Sequence, residues 1–264
     1  MCMLHGWRAR SQRARDAREV SMLHRIRAGR TDLVYDYLAA GNSATCVDDS
    51  GIPIINWCAY YGDVSAIKHL LDMGEALGSL GQNFDLNGAA FHGHWRLCEF
   101  LIEQGANPNY LHAEAGETPL HAALSRANGP VQDRVVTVLL AAGACTNVAT
   151  VPGAETGCFM RDARSKGEAP LHRAAAYASE VTIAALISAG AARDSRDAHG
   201  DTPLSWASWH LRPAAIIRML CHDGYSINPA AAWIGDHGLG ASGMDISLIG
   251  EPASRSKPLE QSVF

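Results

Sequence analysis

GEAPLHRAA, Gly167 to Ala175, is the stretch on which the reading of this chain turns. Its histidine, His172, invites a catalytic role, yet the segment recurs. GETPLHAAL spans Gly116 to Leu124, GDTPLSWAS spans Gly200 to Ser208, and GIPIINWCA, Gly51 to Ala59, is a looser copy. A second signature runs beside it: an apolar residue, two more at +3 and +4, and a glycine at +7. It occurs as Val34, Tyr37, Leu38, Gly41, then Ile67, Leu70, Leu71, Gly74, then Cys98, Leu101, Ile102, Gly105. It continues as Val136, Leu139, Leu140, Gly143, then Ile183, Leu186, Ile187, Gly190, then Ile217, Leu220, Cys221, Gly224. Six instances of one four-point pattern make internal repetition the organising feature.

Apolar residues at i, i+3 and i+4 form one helical stripe, and the closing glycine suits a helix C′ position with positive φ. Thr118-Pro119 and Thr202-Pro203 read as helix starts, with threonine capping and proline at the first helical position. Ala169-Pro170 keeps the proline and lacks the cap. Each unit is therefore a loop, a short helix, a turn holding a glycine such as Gly62 or Gly93, and a second helix. One such pair cannot bury its own stripe, so neighbours must stack.

The closing glycines are spaced by 33, 31, 38, 47 and 34 residues. With the G-x-TPLH-x-AA motif and endings such as GANPN, Gly105 to Asn109, the chain resembles ankyrin-repeat proteins over about residues 21–228, and as a whole the small, stand-alone ones common in bacteria. The resemblance implies an all-α solenoid of six helix-turn-helix units that binds a partner protein, without catalysis, cofactor or metal. At the position of His172 the other units carry Asn56, Asn87, His121 and Ser205. A catalytic role demands one residue type at one place. Varied polar groups suit a hydrogen bond to backbone inside the stack, and the family implies that this histidine ties adjacent loops together.

Function is expected where the repeat is broken or decorated. From Gly143 to the histidine position is 29 residues against 13 to 16 elsewhere, which marks an insertion at about 148–166 carrying Cys158, Phe159, Met160, Arg161 and Arg164. It is read either as a partner contact, through Phe159 and Arg161, or as a flap over the neighbouring loops. A longer connection near Asn128-Gly129-Pro130 is read as a length variant. The family places the first helix of each unit on a concave face. Its outward positions are taken as Trp57, Tyr60, Tyr61, Phe91, His92, Trp95, Arg173, Tyr177, Trp206, Trp209 and His210. Trp, Tyr and Arg dominate binding energy in interfaces; the alternative is that the rings pack between units.

The charge is uneven: residues 1–20 carry +3 through Arg8, Arg10, Arg13, Arg15 and Arg18, and the remainder carries -8 of the net -5. An acidic body argues against a phosphate-gripping surface, leaving nucleic-acid association through the basic arm as the alternative function. The arm is read as disordered, or as an extension ahead of a true start at Met22. Residues 229–264 read as a short closing helix anchored by Trp233 and a mobile tail. Ser21 reads as the cap of the first helix, with Arg25, Arg27, Arg30, Asp32 and Asp36 forming the polar outer surface of a terminal unit.

The seven cysteines lack CxxC spacing and no apolar run reaches the ~18 residues of a membrane span, so a cytoplasmic, monomeric protein with reduced thiols is expected. His94 and Cys98 fall at i, i+4 without the further ligands that zinc needs. An enzyme would have to use Cys158 as nucleophile, with no base at a readable spacing.

Overall fold

Each sequence unit folds into the helix pair its stripe and caps dictate. The structure, a computed structural model, describes residues 21–125, 130–154 and 166–222. The first helices of the six units are α1 (residues 21–27), α3 (Ile54–Tyr60), α5 (Leu86–His92), α7 (Pro119–Ala123), α9 (Pro170–Tyr177) and α11 (Pro203–Trp209). The second helices are α2 (Leu33–Ala39), α4 (Val64–Asp72), α6 (Trp95–Glu103), α8 (Pro130–Ala141), α10 (Glu180–Ser188) and α12 (Ala214–Leu220). From α3 onward each first helix packs on the first helix of the next unit, and the second helices follow suit from α2 to α12, so the units stand in two ranks. Among the described residues the only strand-like pairing is a single bridge, Val47 with Pro53. The basic arm, Asn128-Gly129, the insertion residues 155–165 and the closing segment with Trp233 lie outside the described residues.

The stripe does what its period demands. Its first two positions are buried in all six units, from Val34 and Tyr37 to Ile217 and Leu220. The third position is half-buried at Leu71, Ile102, Leu140, Ile187 and Cys221 and buried at Leu38. Thr118 and Thr202 cap α7 and α11 by accepting from the backbone N–H of His121 and Ser205. Ala169 offers no such oxygen, and α9 starts without a side-chain cap. In the terminal unit Arg30 and Asp32 pair on the surface at 2.7 Å.

Three ladders of polar contacts tie unit to unit. In the loops, the Asn109 amide donates to Gly143 O and accepts from Cys145 N, and Asn147 repeats this on Gly190 and Ala192. At the helix starts, His121 Nδ1 accepts from Thr118 N–H and His172 Nδ1 from Ala169 N–H. That fixes the proton on Nε2, which donates to Glu168 O at 3.2 Å and to Asp201 O at 3.0 Å in the following unit. His172 therefore joins loops. At the ends of the first helices, carbonyls without an intrahelical partner receive a donor from the next unit: His94 to Tyr60 O, Gln132 to Phe91 O, Arg212 to Ala176 O.

Gly62 makes one of these contacts possible. Its φ is +73°, and a Cβ there would lie 2.5 Å from Nδ1 of His94. Gly62→Ala combines left-handed strain with that clash, and is expected to cost about 2 kcal/mol in urea unfolding. An unchanged midpoint would show that the His94 ring has room to give.

Candidate functional site

Apart from Tyr35 of the first unit, 42% exposed and stacked on His69, the exposed tyrosines stand on the second unit beside half-buried rings of the third. Tyr60, at the end of α3, is 51% exposed, and Tyr61, just beyond the helix, is 40% exposed. Tyr60 meets Trp57 edge-on at 6.2 Å, Tyr61 at 5.1 Å and His92 at 4.8 Å. His92 continues the chain of contacts to Phe91 and His94. The Tyr61 hydroxyl also donates to Arg27 O, fixing its ring against the first unit. Farther along, half-buried Tyr177 and exposed His210 pair edge-on at 4.8 Å.

Several expected contact residues lie elsewhere. Trp95 opens α6, a second helix, where Arg96 and Arg134 sit over its ring. Trp206 and Trp209 are 2% and 9% exposed, stacked on each other with Lys166 over both rings. These two are packing, not surface. Arg173 is fully buried. Its Nε and Nη2 donate to Glu168 Oε1 and its Nη1 to His121 O and Ser125 Oγ, while Glu117 Oε1 lies 2.7 Å from Nη1 as an ion pair. An outward arginine was expected; the residue is a clamp between units four and five, because two buried carboxylates demand a cation. Phe159, Arg161 and Cys158 lie outside the described residues.

Trp57 and Trp206 do share a register, for an internal reason. Trp57 Nε1 donates to Asp48 Oδ2 at 3.0 Å, and Trp206 Nε1 to Asp197 Oδ2 at 3.1 Å. The other oxygen of each aspartate accepts two backbone N–H groups and closes its loop. The indoles are thus loop braces, although Trp57 stays half-buried with Arg27 over its ring at 5.4 Å.

Beneath Tyr60 and His92 lies a cleft of about 110 Å³ between α3 and α5, lined also by Asn56, Asp85, Gly88 and Leu80. This cleft was not signalled by the aromatic pattern. Asp85 caps α5 by accepting from Gly88 N–H at 3.1 Å. Asp85 as a residue is exposed, but its carboxyl is crowded enough that burial raises its pKa, with the Gly88 hydrogen bond opposing. Asn56 Oδ1 is buried without a hydrogen-bond partner.

Little here suits bond chemistry. The core thiols of Cys58 and Cys98 are pushed up to about 12 by burial. His94 spends Nε2 on Tyr60 O, and no group of three His, Cys, Asp or Glu residues among those described could hold a metal ion. No helix among the described residues is long and apolar enough to cross a membrane.

Three family models match the chain: ankyrin repeats in three copies over residues 149–231, ankyrin repeats in many copies over 89–132, and a single ankyrin repeat over 115–151. Among curated proteins, it is 30% identical over 88 residues to the E3 ubiquitin-protein ligase Ufd4 of Drosophila melanogaster. It is 31% identical over 81 residues to the E3 ubiquitin-protein ligase hecd-1 of Caenorhabditis elegans. These matches cover 33% and 31% of this chain, and the chain spans only 3% of each relative's length.

Proposed function

We propose that this chain, which belongs to the ankyrin-repeat family, recognises a partner protein through the ring cluster over its second and third units. Ankyrin repeats are generally non-catalytic modules for protein–protein interaction. The choice of face rests on one observation: Tyr60 and Tyr61 are exposed and held in a continuous run of ring contacts with His92 and Phe91. Large rings already fixed by neighbours and by the Arg27 contact lose little rotamer freedom on docking. Both curated relatives are named as ubiquitin ligases, but the similarity spans repeats alone, so only the recognition role is carried over.

Tyr60→Ala and His92→Ala test the face, since each removes an exposed or half-buried ring and leaves the Tyr60 carbonyl to His94. Affinity capture with the wild type should retrieve a partner that both variants bind about 30-fold more weakly, the size of a ~2 kcal/mol hot spot. Circular dichroism should show both folded. Full retention by both variants would move the docking face elsewhere.

A further inference from the structure

We infer that the cleft between the second and third units seats a lysine side chain of the partner protein, its ammonium held by Asp85 and Asn56 Oδ1 beneath the rings of Tyr60 and His92. The inference rests on the docking face proposed above and names what that face grips. Size comes first. At about 110 Å³ the cleft is well below the roughly 300–1,000 Å³ of small-molecule sites, so it takes one side chain rather than a cofactor.

Chemistry selects a cation. Asp85 has no basic partner among the described ion pairs, its second oxygen is not spent on the α5 cap, and burial already disfavours its charge. Asn56 adds a buried, orphaned carbonyl oxygen, which a donor must satisfy if its cost is to be recovered. Tyr60 and His92 line the cleft with aromatic rings, which attract cations. The acidic body of the chain favours a basic partner segment.

The repeat shows what the third unit lacks. One residue after the histidine position, units two, five and six carry a donor for a loop carboxylate, Trp57 for Asp48, Arg173 for Glu168 and Trp206 for Asp197, whereas unit four carries Ala122. In the third unit that place is Gly88, and a Cβ there would lie 2.3 Å from Asp85 Oδ2. Gly88 brings no side-chain donor, and any side chain there would crowd Asp85. Asn83, Phe84 and Asp85 are all left-handed, with φ of 51°, 53° and 51°. Such strain in a non-glycine run persists only when the surroundings enforce it. Here the Asn83 amide enforces it through paired bonds to the backbone of Asn107.

The test uses the full ¹⁵N-labelled chain, n-butylammonium as the lysine-side-chain probe and n-butanol as its neutral control. Wild type should show saturable shifts at the amides of Tyr60, Gly88 and His92 with n-butylammonium and not with n-butanol. Asp85→Asn keeps an N-cap residue that tolerates left-handed backbone, and should weaken the probe about tenfold or more by removing one charged hydrogen bond. Raising salt from about 50 to about 500 mM should weaken wild-type binding as well. Equal binding by Asp85→Asn, insensitivity to salt, or tighter binding of guanidinium than of n-butylammonium overturns the lysine seat. If Asp85→Asn still captures a partner that Tyr60→Ala loses, the seat falls and the docking face stands.

Discussion

Arg173→Ala will destabilise the stack by about 3–5 kcal/mol, the cost of removing one member of a buried ion pair and leaving the other charge uncompensated. Three features set that size. Arg173 is 0% exposed, and Glu168 and Glu117 are 1% and 4% exposed, so no water can replace the guanidinium. Burial alone would raise the Glu168 pKa, yet Arg173 beside it holds the carboxyl below its usual value. The same guanidinium donates to His121 O and Ser125 Oγ across the junction of units four and five. Arg173→Lys should recover only part of the loss, because an ammonium cannot make the forked contact. Arg173→Met with Glu168→Gln should cost less than the sum of the single changes, since both charges leave together. In a chain of nearest-neighbour contacts, weakening one junction also lowers cooperativity. Urea unfolding of Arg173→Ala should therefore broaden as its midpoint falls. A change below about 0.5 kcal/mol would be that of an ordinary surface substitution, and would place Arg173 back on the exterior.

That arginine also marks where sequence and structure part company. The helix pairs were legible because their causes are local: a 3.6-residue stripe, a threonine cap, a glycine able to take positive φ. The buried ladder through His121 and His172 was legible through repetition, as different polar residues filled one place. The same logic applied to Trp57 and Trp206 would have found their braces, since each has an aspartate nine residues upstream. Repetition at a position signals an internal duty, and both tryptophans brace loops instead of facing outward. Arg173 stands where no other unit carries an arginine; units two and six have Trp57 and Trp206 there. Its only signal was the acidic residue before the cap, Glu117 and Glu168, whose burial depends on how closely units pack. Asp85 was hidden for another reason. Its placement follows from a left-handed run through Phe84, a residue with no local preference for that conformation.

Stability should rise from acid pH to about pH 7 and level off above it, because two buried histidines outweigh one buried aspartate that responds to protons in the opposite direction. Burial, aided by Arg173 nearby, lowers His121 to about 3, and burial lowers His172. Below about pH 6.5 the unfolded chain protonates both imidazoles more readily than the folded chain, so acid favours unfolding. Asp201 works the other way. It is 1% exposed with neither carboxylate oxygen hydrogen-bonded, and burial followed by repulsion from Asp197 raises it to about 7. The folded chain therefore holds a proton that the unfolded aspartate releases above about 4, so the contribution of Asp201 is lost between about pH 4 and 7 and adds no slope beyond; Asp85, raised by burial, acts in the same sense. Between about pH 6 and 4.5 His121 and Asp201 oppose each other by one proton each, ~1.4 kcal/mol per pH unit, and His172 tips the balance towards loss in acid. The loss steepens lower down, where Glu168, held low by Arg173, must also be protonated. Asp201→Asn should steepen the acid limb, whereas His121→Asn should flatten it. Asparagine already stands at that position as Asn56 and Asn87. Urea midpoints measured from pH 4.5 to 8.5 separate these outcomes. An Asp201→Asn profile that matches wild type would mean that Asp201 stays charged in the fold, with a partner beyond those described.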